Sequence, residues 1–443
     1  MHGVVKRTSV VLVISCLLGL FYDGLQAIYR LNLVGFLDDL NSLSRHTSSI
    51  VDCLGSDQRI KMQLFMTRSC SPQSLSAHCV NVLEAAQPIH VLKKDKLSMP
   101  IGSMIIYSDP FLGEEVPDIN QYKDFCDAHA LRIGSVVWET TEPRPAKIAH
   151  INAYCDAIIV PDEWLVGVYK KSGVTCPIFV LPLVLNLESL LARRLKKKRP
   201  EKKFIFGFSG FFLDNGRKNH ELLLHAFIKE FGLHERVMLK VHGRGAETNL
   251  FTHVLQPFAS KLEQTNIMLE KKAFVRHEYE AYLASLDCYV TIAKGEGFSI
   301  IPREVLALGI PCIISNNSAQ QTICNTGYVR PVASNILEES PNGGYWCNAH
   351  LNDVREALRD VYLNYDYYVM QAQKGREWVK QYLLKNIASK YQSLVWPKTI
   401  ILGDRNELTD AYLMTDSPVL FEKYEKLFRP AKIKSIVSLN DKQ

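Results

Sequence analysis

Two carboxylates interrupt an otherwise apolar segment, residues 294–315, which reads KGEGFSIIPREVLALGIPCIIS. Glu296 lies in a glycine-rich turn, and Glu304 follows eight residues later, just after Pro302. A carboxylate can accept hydrogen bonds from two neighbouring hydroxyls, such as those of a ribose or a hexose. A capping acid in the first turn of a helix accounts for Glu304 but leaves Glu296 unexplained. The pair therefore indicates a site for a polyhydroxyl ligand.

Both acids are predicted to lie at the same edge of a sheet. Residues 288–293 form a predicted strand, and the turn at its carboxyl end holds Glu296 between Gly295 and Gly297. Ligands of open parallel α/β sheets gather at the carboxyl ends of strands. A glycine lets the backbone approach a ligand closely because it has no Cβ. We therefore expect the amides of residues 297–300 to face a phosphate.

A predicted helix follows this turn and carries the second acid. Pro302 suits the first helical position, where its missing N–H is no loss, and Gly309 is a typical helix stop. This register places Glu304 in the first turn, so that both acids can face one crevice. The apolar residues between them are expected to belong to the core.

A pair of cations precedes another predicted helix, in the segment GRKNHELLLHAFIKEFG of residues 216–232. Asn219 suits the N-cap of this helix, and Gly232 ends it. Arg217 and Lys218 therefore lie beside free backbone N–H groups and the positive end of the helix dipole, a combination that suits a phosphate. The alternative is two solvated side chains at an ordinary helix start.

A glycine pair with G-x-G spacing, Gly243 and Gly245, lies where the predicted strand of residues 237–243 ends and turns toward a helix. This spacing occurs in nucleotide-binding turns. A lone pair is weak evidence, and a tight turn without a ligand is the favoured interpretation in isolation. Gly210 similarly ends the predicted strand before the two cations.

Short apolar strands alternate with helical patterns along the chain, which predicts an α/β fold with parallel sheets. A basic stretch at residues 193–203 separates two series of strands and marks a domain boundary near residue 200. We interpret it as a solvated linker, with a patch that attracts anionic lipid or phosphate as the alternative. The predicted strands are residues 9–15, 102–108, 132–139, 155–161, 177–184, 203–210, 237–243, 266–271, 288–293 and 311–315.

The first 21 residues contain an apolar run after a short basic start, a pattern that is also typical of a signal peptide. The run is short for a membrane span, which needs about 20 apolar residues. We favour a buried first strand, followed by a loop around Asp23 and Gly24. A helix is then predicted over residues 25–43, where apolar residues recur at helical spacing.

The composition is that of a globular protein with a sizeable core. Of the 443 residues 47% are hydrophobic and 22% are charged, and the formal net charge is +6. Eleven cysteines are scattered without a C-x-x-C pair, which favours reduced thiols in a cytosolic compartment over disulfides or a zinc site. No segment interleaves aromatic and basic residues as a nucleic-acid platform would.

The segment GEGFSIIPREVLALGIPCIIS resembles the E-x7-E motif of retaining glycosyltransferases of family 4, among the glycosyl transferases of group 1. GRKNHELLLHAF is similar to their phosphate-binding strand, loop and helix, and VHGRGAE to their glycine turn. The resemblance covers roughly residues 160–320 and extends to the N-terminal half by architecture alone. It implies the GT-B fold, in which two Rossmann-like domains with parallel sheets face each other across a cleft.

The resemblance implies a role for each motif residue. Arg217, Lys218 and Glu296 would be the catalytic residues, with the cations on the diphosphate and Glu296 on the sugar hydroxyls. Glu304 would bind the ribose, so that the two acids form a clamp and transfer no proton. The other donor-binding residues would be Gly297, Phe298, Ser299, Gly210 and Gly243 near the phosphates and sugar, and Phe274 and Val275 beside the base.

On the acceptor side the resemblance points to Asp23, Gly24, Trp138 and Glu139. Many relatives have a histidine where this chain has the Trp138 and Glu139 pair. Many also have an arginine at the position of Phe211, so phosphate binding here would depend more heavily on the two cations.

The resemblance implies a hexosyltransferase that uses a nucleoside diphosphate-sugar with retention of configuration and needs no cofactor or metal. The alternatives are a sugar-nucleotide epimerase of the same architecture and a catalytically silent binding subunit. An acceptor domain is expected over residues 1–195, a donor domain over 200–380, and a returning helix with an extension over 381–443. The expected location is the cytoplasm, and peripheral contact to anionic membrane through the basic stretch is the alternative to a solvated linker. The acceptor, whether glycan, lipid or protein, is not indicated, and no nucleic-acid partner is expected.

Overall fold

The computed structural model describes two α/β domains and several short C-terminal elements. The structure describes residues 29–37, 43–67, 75–88, 104–108, 123–195, 203–211, 216–232, 236–244, 266–270, 272, 274–395, 399–402, 412–415, 417, 420, 422–424 and 435–438. The predictions for the first 21 residues, for Asp23 and Gly24, and for Gly245 lie outside these ranges.

The first domain is built on a sheet of seven parallel strands. They are β1 (Tyr29–Gly35), β2 (Ile60–Met66), β3 (Gln87–Pro88), β4 (Met104–Ser108), β5 (Leu131–Ser135), β6 (Ala157–Val160) and β7 (Ile178–Val180). Their order in the sheet is β3-β2-β1-β4-β5-β6-β7, with the first strand inside, as in a doubly wound fold. All four residues of β6, AIIV, are buried, as expected for a strand covered on both faces.

The structure corrects the prediction of a helix over residues 25–43, because Tyr29–Gly35 is strand β1. Leu31 and Leu33 are both buried, and their spacing of two fits a strand as well as it fits part of a helical pattern. Parallel ladders to β2 and β4 satisfy the backbone of β1 on both sides. This tertiary pairing outweighs the local helical pattern.

Helices connect the strands of the first sheet. They are α1 (Ser44–Leu54), α2 (Ala77–Glu84), α3 (Lys123–Asp127), α4 (Pro145–Tyr154), α5 (Glu163–Lys171) and α6 (Glu188–Leu191). The N-cap of α5 is Asp162, whose carboxylate accepts a hydrogen bond of 3.1 Å from the backbone N–H of Trp164.

The second domain contains a sheet of six parallel strands. They are β8 (Phe204–Phe211), β9 (Val237–Arg244), β10 (Ile267–Glu270), β11 (Cys288–Thr291), β12 (Cys312–Asn316) and β13 (Arg330–Ala333). Their order is β10-β9-β8-β11-β12-β13. The first five confirm predicted strands, whereas β13 has a single fully buried residue and therefore gives little apolar signal.

Helices of the second domain flank this sheet, and a final helix returns to the first domain. They are α7 (His220–Glu230), α8 (Arg276–Ser285), α9 (Ile300–Ala307), α10 (Gln321–Cys324), α11 (Leu351–Leu363), α12 (Tyr365–Trp378) and α13 (Leu384–Val395). Helix α13 packs on α1. The Tyr391 hydroxyl donates to the Pro182 carbonyl at 3.2 Å, and the Leu185 N–H donates to the Tyr382 carbonyl at 2.9 Å. Helix α13 and the segment before it are thus attached to the first domain.

An antiparallel hairpin of the second domain, β14 (Ile336–Glu339) and β15 (Tyr345–Asn348), reaches the first domain. Thr140 Oγ1 donates to the Gly343 carbonyl at 2.8 Å, and Arg144 Nη2 donates to the Pro341 carbonyl at 2.9 Å. The sequence analysis did not predict this hairpin, because its strands are short and only Trp346 among their residues is fully buried.

Three short parallel strands follow α13 in the C-terminal part of the chain. They are β16 (Thr399–Leu402), β17 (Tyr412–Thr415) and β18 (Ser435–Ser438), in the order β17-β16-β18. Within the described ranges, no helix has the length and apolar character needed to cross a bilayer. The nine cysteines in those ranges are free thiols, and seven of them are buried.

Candidate active site

A cavity of about 520 Å³ lies between the two domains, where the carboxyl ends of strands from both sheets meet. This is the edge at which open parallel sheets bind ligands. Both predicted acids and one predicted cation line it. Its described wall consists of Leu43, Arg45, His46, Val137, Glu139, Leu183, Asn186, Glu188 and Ser189 from the first domain, and Lys218, His242, Phe274, Val275, Arg276, Tyr279, Glu280, Glu296, Gly297, Phe298, Ser299, Ile300, Ile301 and Glu304 from the second.

Glu296 is 9% exposed and is held by both predicted cations. Arg217 Nη1 lies 3.2 Å from Glu296 Oε1, and the Lys218 ammonium pairs with the same oxygen. Burial raises the pKa of Glu296, but the charges of Lys218 and Arg217 outweigh burial and hold that pKa below its usual value. Glu296 is therefore a carboxylate at neutral pH, able to accept hydrogen bonds and without a proton to donate.

The two cations occupy different positions around Glu296. Lys218 lines the cavity, and burial lowers the pKa of its ammonium despite the opposing charge of Glu296. Arg217 lies outside the described wall, with its Nε 3.0 Å from Oε2 of Glu139 and its Nη1 donating to the Gly295 carbonyl at 2.8 Å. Burial lowers the pKa of Arg217, but the charges of Glu139 and Glu296 outweigh burial and hold that pKa above its usual value. Of these two cations, Lys218 is thus the one that a ligand in the cavity reaches directly.

The loop before α7 has a different geometry from the prediction. Asn219 is at the N-cap, but its backbone is left-handed at φ 57° and its side chain does not cap the helix. Its amide donates instead to the Ile292 carbonyl at 3.0 Å and to Asn348 Oδ1 at 2.7 Å. Asn219 therefore fixes the loop of the two cations to the end of β11.

Glu304 is 4% exposed and points into the cavity beside two residues that the sequence analysis missed. Arg276 Nη1 lies 2.8 Å from its Oε1, and the Tyr279 hydroxyl donates to its Oε2 at 2.8 Å. Burial lowers the pKa of Arg276, but Glu304 outweighs burial and raises it. Because both oxygens are engaged, the carboxylate has a fixed orientation.

Helix α9 begins two residues earlier than predicted, at Ile300, which puts Pro302 at the third helical position and Glu304 in the second turn. A proline is tolerated there because the first four N–H groups of a helix have no intrahelical acceptor. Ser299 precedes the helix with left-handed backbone at φ 62°, and Gly309 follows it at φ 69°. Phe298 and Ser299 both line the cavity.

The structure gives the glycines beside Glu296 a reason that the sequence analysis did not include. A Cβ on Gly295 would lie 1.9 Å from the Glu139 carbonyl oxygen, and one on Gly297 would lie 2.1 Å from Val137 Cγ2. Backbone of the first domain therefore packs against this turn. Whether the glycines also admit a ligand stays a prediction.

The predicted base-binding end of the cavity contains an aromatic stack. The Phe274 ring lies 4.1 Å from the His242 ring at an interplanar angle of 19°, and Val275 lines the wall beside it. Strand β9 extends through Gly243, as predicted, and one residue further to Arg244, and Gly243 pairs with Gly210 on β8. Neither glycine is part of the described wall.

On the acceptor side, the structure separates the roles of Trp138 and Glu139. Glu139 lines the cavity, whereas the Trp138 indole N–H donates to Thr140 Oγ1 at 2.7 Å and to the Glu142 carbonyl at 3.0 Å. The Lys147 ammonium lies 4.5 Å from the centre of the Trp138 ring. Trp138 thus holds the loop that carries Glu139.

Several polar residues of the wall escaped the sequence analysis. Arg276 and Tyr279 begin the helix after β10, and the rule that ligands gather at carboxyl ends of strands would have pointed to them. The sequence analysis did not identify Arg45 and His46 as wall residues, because it assigned residues 25–43 to a helix and so predicted no loop before α1. In the described part of the chain, no group of three or more His, Cys, Asp or Glu side chains is placed to hold a metal ion.

Residues 192–378 match the model of the glycosyl transferases group 1 family. No curated protein matches the chain in sequence. Among solved structures, sucrose-phosphate synthase from Thermosynechococcus elongatus is similar, with a TM-score of 0.58 and 15% identity over 83% of this chain and 98% of that one. The lipopolysaccharide outer core galactosyltransferase WaaB has a TM-score of 0.56 and 11% identity over 83% of this chain and 99% of its own.

A third similar structure is that of HepE from Anabaena in complex with UDP-glucose, with a TM-score of 0.55 and 10% identity over 82% of this chain and 99% of that one. This chain shares its architecture with these proteins: two Rossmann-like domains with parallel sheets and a cleft between them. The chain therefore has the GT-B fold, and its second domain matches the glycosyl transferases of group 1.

Proposed function

We propose that the chain transfers a hexose from a nucleoside diphosphate-sugar to an acceptor hydroxyl, with retention of configuration and without a metal. One observation carries the proposal: Lys218, Glu296 and Glu304 line the same interdomain cavity, with Arg217 directly behind Glu296. The family model covers the segment that contains all four residues. The UDP-glucose in the HepE structure makes UDP-sugars the first donors to test.

Glu304 is assigned to the ribose of the donor. A carboxylate offers about four lone-pair sites on its two oxygens. Arg276 and Tyr279 each occupy one oxygen, which leaves one lone pair on each for a hydroxyl. The orientation that these two residues impose suits the vicinal diol of a ribose. Phe274 and Val275 then lie on the base side of the same cavity.

Lys218 and the backbone of the Gly297–Ser299 loop are assigned to the diphosphate. The leaving diphosphate accumulates negative charge as the glycosidic bond breaks, and preorganised cations and N–H groups in a buried site stabilise that charge. Arg217 supports them from behind by neutralising Glu296 and Glu139. These two cations would supply the positive charge that a metal ion supplies in other transferases.

Glu296 is assigned to hydroxyls of the transferred sugar and has no role in proton transfer. Its lowered pKa leaves it ionised at neutral pH, so it orients the sugar as an acceptor of hydrogen bonds. The acceptor substrate is assigned to the first-domain side of the cavity, next to Glu139. Retention of configuration is proposed on the resemblance of the E-x7-E segment.

Incubation of the protein with UDP-, GDP- and ADP-hexoses tests the proposal. Release of nucleoside diphosphate, with water or an added sugar as acceptor, supports a transferase, and NMR of the product gives the anomeric configuration. Conversion of the donor into an isomeric nucleotide-sugar, without release of nucleotide, would indicate an epimerase instead. If the protein neither binds nor turns over any donor, that result contradicts both the transferase and the epimerase. A catalytically silent binding subunit would then remain.

A further inference from the structure

A buried arginine lies next to the candidate site and has no role in the chemistry proposed above. Arg303, the residue before Glu304 in α9, has 0% of its surface exposed. Burying an arginine is costly unless its charge is paired and its N–H groups have acceptors. Its partners therefore indicate what the structure gains by holding a guanidinium at this position.

The first partners of Arg303 are carbonyls of the loop that lines the cavity. Its Nη1 donates to the Ser299 carbonyl at 3.1 Å and also contacts the Phe298 carbonyl. Ser299 has a left-handed backbone, a conformation that costs about 1–3 kcal/mol for a residue other than glycine and persists only where the surroundings stabilise it. Arg303 thus stabilises the conformation in which this loop lines the cavity.

The second partner of Arg303 belongs to the other domain. Its Nη2 lies 3.5 Å from Oδ2 of Asp162, which is 3% exposed and is the N-cap of α5. Asp162 also accepts a hydrogen bond of 2.8 Å from the Thr322 hydroxyl, which again comes from the second domain. The ion pair therefore exists only while the two domains are in contact at this point.

The third set of partners consists of aromatic rings, two of which, Trp378 and Tyr382, lie where the chain crosses from the second domain toward α13. The guanidinium lies 4.0 Å from the centre of the Phe298 ring, 4.9 Å from that of Tyr382 and 5.7 Å from that of Trp378. Tyr382 in turn accepts a backbone hydrogen bond from Leu185 of the first domain. A change in the angle between the domains would alter these ring contacts together with the Asp162 pair.

We propose that Arg303 is a positioning residue that couples closure of the two domains to the shape of the Gly297–Ser299 loop. When the domains close, Asp162 and the ring of Tyr382 fix the guanidinium, and the guanidinium fixes the carbonyls of Phe298 and Ser299. When they separate, the arginine loses its counter-charge and the loop loses its support. In the proposed function, this makes the phosphate-facing amides available in the closed form.

The test is made with Asp162→Asn and Arg303→Lys in the full chain. Asparagine is as good an N-cap as aspartate, so Asp162→Asn removes the charge and keeps the start of α5. Lysine keeps the charge of Arg303 but lacks the planar fork that reaches several acceptors. Arg376→Lys is the matched control, because Arg376 also joins the domains, through the Leu191 and Ala307 carbonyls, but away from the cavity.

Hydrogen exchange of the peptide that covers residues 295–301 is the first measurement. We expect exchange to become about tenfold faster in Asp162→Asn and Arg303→Lys and to stay unchanged in Arg376→Lys. Unchanged exchange in Asp162→Asn, or an equal increase in the control, would overturn the proposed coupling. This measurement needs no donor, so it decides the coupling even if the proposed function is wrong.

Donor kinetics are the second measurement, and they rest on the proposed function. We expect kcat for release of nucleoside diphosphate to fall about tenfold or more in both variants, while the Kd of the nucleoside diphosphate changes by less than about threefold. A proportional loss of affinity and kcat, or a loss of thermal stability alone, would overturn the positioning role. A wild-type protein that neither binds nor turns over any nucleotide-sugar would instead contradict the proposed function.

Discussion

The guanidinium of Arg217 lies 3.0 Å from the carboxylate of Glu139, and this contact joins the second domain to the first at the edge of the cavity. Arg217 is thus shared between Glu139 and Glu296, which lies 3.2 Å away. A diphosphate bound at Lys218 would compete with Glu139 for electrostatic attraction to the guanidinium of Arg217. The cluster therefore links the proposed donor side of the cleft to the proposed acceptor side by charge.

Replacing Glu139 with glutamine should strengthen binding of nucleoside diphosphates about threefold to tenfold, because it removes a negative charge next to the proposed phosphate site. Arg217 keeps Glu296 and the Gly295 carbonyl as partners, so it stays ordered. The gain should shrink as salt rises. Calorimetric titration at two salt concentrations measures both effects.

Glu142→Gln is the control for Glu139→Gln, since Glu142 lies on the same loop and is exposed. Its affinity for nucleoside diphosphate should equal that of the wild type. Weaker binding in Glu139→Gln would mean that Glu139 holds the donor and does not compete with it.

Glu304 should discriminate ribose from deoxyribose. The wild type is expected to bind a nucleoside diphosphate about tenfold more tightly than its 2′-deoxy analogue, because a hydrogen bond to a charged group is worth about 1.5–3 kcal/mol. In Glu304→Ala both ligands should bind weakly and with similar affinity. Competition titration with the two nucleotides measures the ratio.

Tyr279→Phe refines the ribose assignment, because it removes one hydrogen bond that orients Glu304 and keeps the carboxylate. It should reduce the ratio between the two nucleotides without abolishing it. If Glu304→Ala keeps the full wild-type preference for ribose, the assignment of Glu304 is wrong.

Lys218→Ala should reduce kcat about 100-fold to 1000-fold and change donor affinity much less, because its charge is most valuable when the leaving diphosphate becomes more negative. Initial rates of nucleotide release over a range of donor concentrations separate the two effects. Lys229→Ala, on the exposed face of α7, the helix that follows Lys218, should behave as the wild type. Equal losses in Lys218→Ala of affinity and kcat/KM, with kcat preserved, would contradict a role in the transition state.

Two buried histidines should make stability depend on pH. Burial lowers the pKa of His129 to about 4, and burial together with the charge of Lys294 lowers that of His220 to about 4. Both are neutral in the folded protein, while in the unfolded chain they take up protons near pH 6.5. Stability is therefore fully present above about pH 6.5 and is lost as pH falls toward 4, by up to about 3 kcal/mol for each histidine.

Thermal unfolding of the wild type and of His129→Gln between pH 7.5 and pH 4.5 measures this dependence. The variant should be less stable at every pH but should lose less stability than the wild type between pH 6.5 and pH 4.5. Identical slopes in the two proteins would show that His129 is already protonated in the folded state.

The clearest parts of the fold and site were those in which local pattern and tertiary environment agree. Five of the six strands of the second sheet, β8 to β12, are short apolar runs with turn residues at their ends, and they were predicted closely. Glu296 and Glu304 were identified because a charge inside an apolar run is unusual. Strand β1 was missed because Leu31 and Leu33 fit either period, and only its ladders to β2 and β4 decide between them.

Other features depend on contacts between residues distant in sequence, which a local pattern does not contain. Asn219 looked like a helix cap, but its side chain bonds Asn348, 129 positions away. Gly295 and Gly297 looked like room for a ligand, and the structure packs first-domain backbone against them. Arg303 sits in an ordinary helix pattern, and the role proposed for it follows from its contacts with Asp162 and with the Phe298 and Ser299 carbonyls.

The most direct test of the account is calorimetric titration of the full chain with UDP, GDP and ADP. The account predicts that one of the three binds with a Kd of about 1–100 μM and that Glu304→Ala weakens this binding about tenfold. Absence of binding for all three nucleotides at about 1 mM would contradict a nucleotide-sugar site in the cleft.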